Sequence, residues 1–168
     1  MHAAQGLSMQ DGSDPPVSVH FVNNVLAVAA SYIEVEPESA RDVLAQLGAF
    51  LSHRLRPGRE VSLRDELEHV ATYMRLEQAR FPERVVAELP ADEGRDGARC
   101  RAGSVQAPLA EALDRWLGEH PGRVRVAVHV RSSGERIDVQ LDHPDGPVGG
   151  GERVRIALDC PAMTESVM

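Results

Sequence analysis

The chain has 168 residues, 42% of them apolar and 26% charged, which suits one ordinary globular domain or two small ones. Eighteen Lys and Arg stand against 26 Asp and Glu, for a formal net charge of -8. That acidity argues against nucleic acid or an anionic membrane surface as the main partner, because both need a basic face.

Residues 1–14 are polar and glycine-containing, the composition of a frayed tail. They hold no basic stretch followed by an apolar core, so no signal peptide is expected. No apolar run in the chain approaches the ~20 residues that span a bilayer. The expected location is the cytoplasm, with any membrane-borne stimulus arriving through a partner.

Pro15 and Pro16 prepare a helix start, since proline suits a first turn. The pattern from Val17 to Glu34 predicts a helix with Val22, Val25, Leu26, Ala29 and Ile33 on its core stripe. His20, Asn24, Ala27 and Ser31 fall on another face. A second helix is predicted from Pro37 to Arg56, with Val43, Leu44, Leu47, Phe50 and Leu51 inward, ended by Pro57-Gly58. Ser62 and Asp65 give a capping-box-like start to a third, which carries Leu63, Leu67, Val70, Met74 and Leu76 to Arg80. Short connections imply antiparallel neighbours.

The second half changes character. Arg84–Leu89 reads as a strand, 90–103 as a loop, and Ala107–Leu117 as a helix with Leu109, Leu113, Trp116 and Leu117 apolar. Val124, Val126, Val128 and Val130 alternate along one strand, and Ile137, Val139 and Leu141 along the next, with a turn at Ser133-Gly134. After the glycine-rich stretch 146–151, Val154–Leu158 is a last strand. Cys100 and Cys160 form no CxxC pair, so neither a disulfide framework nor a zinc site is expected.

His20 and Asn24 are four apart, so a helix stacks them on one face. An exposed imidazole can accept a phosphoryl group, and a carboxamide one turn away can orient a water or phosphoryl oxygens. His20-Phe21 followed by Asn24 and Leu26 resembles the phosphoacceptor signature of the LytS-type histidine kinases. The likeness continues through Ala40-Arg41-Asp42-Val43-Leu44 and Leu47-Gly48-Ala49-Phe50-Leu51. It is fullest in Val61-Ser62-Leu63-Arg64-Asp65-Glu66-Leu67, Tyr73-Met74-Arg75-Leu76-Glu77 and Ala79-Arg80-Phe81. Two departures are Val19, where the family usually has proline, and Asn23, where it has phenylalanine.

The resemblance implies that His20 is the phosphoacceptor and that Asn24 assists phosphoryl chemistry or dephosphorylation. It implies an α+β protein: a helical dimerisation and phosphoacceptor region over 15–82, pairing as a dimeric bundle, then an ATP-binding-like α/β sandwich over 83–168. Glu66 and Glu77 are read as solvated or salt-bridged helix residues, with a catalytic carboxylate from the third helix as the alternative. Arg80 and Arg84 are read as surface charge that could meet phosphate.

Pro108-Leu109-Ala110-Glu111-Ala112 resembles the family's proline-leucine-valine-glutamate-asparagine, with Ala112 in place of the asparagine that helps hold magnesium. Alanine has no oxygen for a metal. Asp142-His143-Pro144-Asp145-Gly146 stands where the family has a glycine box, and Pro144 removes an N–H there. Lid and second glycine motif look deleted. Glu111 and Asp142 are thus vestigial cofactor-binding candidates, and Asp142, His143 and Asp145 read as a polar turn with no metal site. The expectation is a phosphorelay protein that exchanges a phosphoryl group between His20 and a receiver aspartate. It would have no cofactor and little autokinase activity. The alternatives are a divergent active sensor kinase using Mg-ATP, and a non-catalytic regulatory dimer that binds a receiver or a full-length kinase.

Overall fold

The protein is described by a computed structural model covering residues 17–54, 59–89, 98–133, 136–143 and 152–159, with side chains described over the same residues except 132–143, 152, 153 and 159. Helix α1 runs Val19–Tyr32, and its cap is Ser18, whose hydroxyl accepts the N–H of Phe21 at 3.4 Å. Helix α2 runs Pro37–Arg54, opening on proline where a missing N–H costs nothing. Strand β1, Glu60–Ser62, leads into helix α3, Leu63–Arg80, capped by the Ser62 hydroxyl on the N–H of Asp65 at 3.0 Å. Strand β2, Val85–Glu88, and strand β3, Arg99–Arg101, precede helix α4, Gln106–Glu119. Strands β4, Val124–Ser133, β5, Arg136–His143, and β6, Glu152–Asp159, complete the chain.

The protein is therefore mixed helix and strand, with helices first and most of the sheet last. One sheet has the order β2-β4-β5-β6, parallel between β2 and β4 and antiparallel beyond. The parallel pair requires a crossover, and α4 lies in it. Val124, Val126 and Val128 are buried together with Leu109, Leu113 and Trp116 of α4. The core is one cluster that runs from Phe21 in α1 through α3 to Leu158 in β6.

Several expectations are corrected. On α1 the buried residues are Phe21, Val25 and Ala29, while Leu26 is 43% exposed and Ile33 59%. Phe21 claims the inward direction because its ring meets Phe50 and Tyr73, with centroids 5.3 and 5.5 Å away. Leu44 of α2 is likewise on the surface. Part of the loop read over 90–103 is a strand, since β3 pairs antiparallel with β1, Val61 opposite Cys100. Three residues alternating with arginine carry no periodic signal, and only backbone pairing makes them a strand. Cys100 is a buried thiol outside any disulfide. Asp142 and His143 belong to β5, so these two are strand residues and not part of the polar turn read there. Asp145, Cys160, the tail 1–14, Gly134 and the glycine stretch 146–151 lie outside the described residues.

Glu66 is also corrected. It is fully buried, and its carboxylate accepts the N–H of Gly103 at 2.8 Å, Val105 at 2.9 Å and Gln106 at 3.1 Å. Those donors open α4, whose N-cap residue Val105 offers no side-chain bond. Gly103 reaches them with φ 83, a left-handed conformation that glycine adopts without a Cβ penalty. Glu66 thus caps a helix from 37 or more residues away. Glu66→Gln keeps the shape but turns an N–H toward these donors. It should cost about 2–3 kcal/mol in urea unfolding, whereas a loss below about 0.5 kcal/mol would show that the cap is dispensable.

Beside Glu66, His69 of α3 stacks on Phe50 at 4.8 Å and on His53 at 3.9 Å. His53 Nε2 lies 3.4 Å from Glu66 Oε2. Burial, then the neighbouring His53 and Arg54, lowers the His69 pKa from 6.5 to about 3. The unfolded chain takes up a proton here below pH 6.5 and the folded chain does not. Stability from this group is therefore complete above that pH and falls as pH drops toward 3, by up to about 1.4 kcal/mol per pH unit. His69→Phe, which keeps the stack, should flatten the decline in unfolding free energy between pH 7 and 5. Equal slopes in both proteins would refute this assignment.

Candidate functional site

His20 sits in the first turn of α1, with its side chain exposed. Asn24, one turn on, places Nδ2 3.0 Å from His20 Nε2. An amide nitrogen only donates, so Nε2 accepts and the ring proton belongs on Nδ1. This tautomer leaves the nucleophilic lone pair on Nε2 of an exposed residue. No acidic residue occupies the first turn of α1, so the positive end of the helix dipole there is unopposed on its own helix.

His20 stands at the wall of a cavity of about 580 Å³ where all four helices converge. Phe21 and His20 enter from α1, Arg54 from α2, Glu77 and Arg80 from α3, and Glu111 from α4. Asp114, one turn beyond Glu111, faces the same space. Glu77 is not solvated: its carboxylate is buried and accepts from Arg80 Nη1 through both oxygens, at 2.8 and 2.9 Å. Burial pushes the Glu77 carboxyl up, while Arg80 and the Tyr73 hydroxyl oppose that rise. The Tyr73 hydroxyl is raised well above its ordinary value, first by its own burial and then by Glu77. Arg80 lies over two rings, its guanidinium carbon 5.5 Å from the Phe21 centroid and 4.9 Å from that of Phe81.

The structure thus brings His20 and Asn24 together, and sets Glu111 on the cavity that His20 lines. Glu111 is exposed, whereas the adjacent Ala112 is buried in the core. Asp142 lies on β5, opposite Ala127 of β4 and Arg153 of β6, and its side chain is outside the described residues. Arg84 does not face phosphate. Its guanidinium donates to the carbonyls of Leu117, His120 and Gly122, closing the end of α4. The inward placement of Arg80 was not legible as a site. Its spacing to Glu77 reads as an ordinary surface pair, and the signal that sets it apart is its burial against Phe21. Among the described residues no group of three or more His, Cys, Asp or Glu side chains could hold a metal ion. No described helix is long and apolar enough to cross a membrane.

Comparison with known proteins finds histidine kinases. The histidine kinase family profile matches residues 16–85, the span from the start of α1 to the start of β2. Sensor histidine kinase BtsS of Escherichia coli is 27% identical over 131 residues, covering 77% of this chain and 23% of that protein. Sensor protein LytS of Staphylococcus saprophyticus is 32% identical over 127 residues, covering 73% of this chain and 22% of its own length. Sensor protein LytS of Oceanobacillus iheyensis is 34% identical over 127 residues, covering 74% and 22%. The chain spans less than a quarter of the length of these relatives.

Proposed function

Because this chain belongs to the LytS-type histidine kinase family, with the family match on residues 16–85, we propose that it serves two-component signalling by exchanging a phosphoryl group between His20 and the aspartate of a response-regulator receiver. The observation that carries this reading is the exposed imidazole whose Nε2 accepts from Asn24, at the edge of an open cavity. In transfer from the receiver, the Nε2 lone pair attacks phosphorus in line. The bond from phosphorus to the aspartyl carboxylate oxygen breaks, its electrons return to the carboxylate, and the imidazole ring becomes cationic because Nδ1 keeps its proton. The receiver's own metal offsets phosphoryl charge. The Asn24 amide, released from Nε2 as the N–P bond forms, is placed one turn away to donate to a phosphoryl oxygen.

Autophosphorylation from ATP is proposed to be weak or absent. Ala112, where the resemblance expects a metal-holding asparagine, is buried and offers no oxygen. Residues 83–168 are read as the degenerate ATP-binding-like part, following the phosphoacceptor part over 15–82. One observation favours the active-kinase reading instead: His20 and Glu111 line the same cavity, and the relatives are named sensor kinases.

The protein is offered γ-labelled Mg-ATP and, separately, a labelled phosphorylated receiver, each beside His20→Ala. Acid-labile label from the receiver alone, lost in His20→Ala, is the expected result. Label from ATP on wild type but not the mutant would establish the kinase. Label from neither donor would leave a regulatory dimer that binds without transferring.

A homodimer is part of the proposal. Val19, Leu26 and Ile33 are 75, 43 and 59% exposed and lie seven residues apart, which aligns them along one side of α1. Heptad spacing of that kind matches a seam between helices, and the small exposed Ala30 beside it permits close approach. The occupant is a second copy of this chain. Leu26→Glu with Ile33→Glu should halve the mass measured by sedimentation equilibrium. An unchanged mass would place the dimer contact elsewhere or exclude it.

A further inference from the structure

The Glu77–Arg80 pair is more than a link between two turns of α3. Arg80 Nη1 is committed to Glu77, while the N–H groups on Nε and Nη2 make no hydrogen bond among the described residues. Its side chain is only 11% exposed. Neither Nε nor Nη2 is among the buried atoms left without a partner, so both still meet solvent, and a charged acceptor can take the place of water there. The opening available to such an acceptor is the cavity, which Arg80 lines together with His20. The Phe21 ring, next in the chain to His20, holds the guanidinium plane from one side and Phe81 from another. The cation is therefore fixed by two rings and a carboxylate, with its remaining fork available.

We propose that Arg80, held by Glu77, receives the phosphoryl oxygens when His20 is phosphorylated, so that the pair forms a built anion seat beside the phosphoacceptor. The inference rests on the reading of His20 as phosphoacceptor. Charge on the cavity walls gives the phosphoryl group a direction. Glu111 and Asp114 on α4 repel it, while Arg80 on α3 and Arg54 on α2 attract it. Glu77 neutralises one unit of charge and aims the guanidinium, making it a positioning residue. Planar N–H pairs suit phosphoryl oxygens, which a lysine could not match in the same pose. The seat would hold phosphohistidine against hydrolysis and orient it until a receiver docks.

The test needs neither ATP nor a partner. Phosphoramidate phosphorylates imidazole directly: the N–P bond to Nε2 forms, the reagent's own P–N bond breaks, and ammonia leaves with a proton. The wild-type chain, Arg80→Gln and His20→Ala are treated alike, and the ³¹P resonance assigned to phosphorylated His20 is titrated. In wild type the phosphoryl group should titrate at a pH about 1 lower than in Arg80→Gln, since a nearby cation favours its more charged form. Matching titrations in the two folded proteins would overturn the seat. If Arg80→Gln fails to fold, the Nε–H resonance of Arg80 in wild type carries the test. It should move downfield on phosphorylation, and a stationary signal overturns the proposal. Equal labelling of His20→Ala and wild type would instead remove the phosphoacceptor reading, and the seat with it.

Discussion

The buried carboxylate of Glu66 is the constraint on which the arrangement depends. A carboxylate taken out of water must be satisfied completely, and here three backbone N–H groups at the opening of α4 do so. Those groups would otherwise be left without partners, because the N-cap residue Val105 has no side chain that can accept them. Each side therefore needs the other. Satisfying Glu66 fixes α4 on α3, and α4 carries Glu111, Asp114 and the core residues Leu109, Leu113 and Trp116. The short β1–β3 pairing holds the same junction from its flank.

With α4 seated, the cavity is a consequence of geometry. The aromatic cluster of Phe21, Phe50 and Tyr73 packs α1, α2 and α3 together and takes up the inward face of α1. His20 is the preceding residue, so it is turned about 100° away from that face and left at the opening. The phosphoacceptor candidate is exposed because its neighbour is buried. The same allocation leaves Val19, Leu26 and Ile33 outside, where a helix of a second copy would cover them. Core packing, site exposure and the proposed association thus fall on three faces of one helix.

Buried ionisable groups divide between two tasks. Glu66 and His69 sit among groups that hold the fold, and neither lines the cavity. Glu77 and Arg80 belong to both, tied to each other and turned toward the space that His20 shares. Burial raises the cost of leaving such groups unpartnered, which is why their partners define where α3 and α4 lie.

The sequence by itself determined most of the helices and strands and which residues share a helix face. Helix α3 runs over Leu63–Arg80, as its periodicity and the Ser62 cap predict, and β4 follows its alternating valines. His20 and Asn24 were legible because a spacing of four on a helix fixes their contact regardless of the rest of the chain. Local periodicity can say which residues share a face, but it cannot say which of two apolar faces is covered. On α1 both Phe21-Val25-Ala29 and Leu26-Ile33 are apolar, and only the aromatic contacts with α2 and α3 decided which went inside. The tertiary structure alone decided that Glu66 caps a distant helix, that Arg84 closes α4, that β3 is a strand, and that Arg80 lines the cavity beside His20. Each depends on groups brought together from separate segments, and hydrogen bonding and burial across such distances leave no periodic mark in the chain.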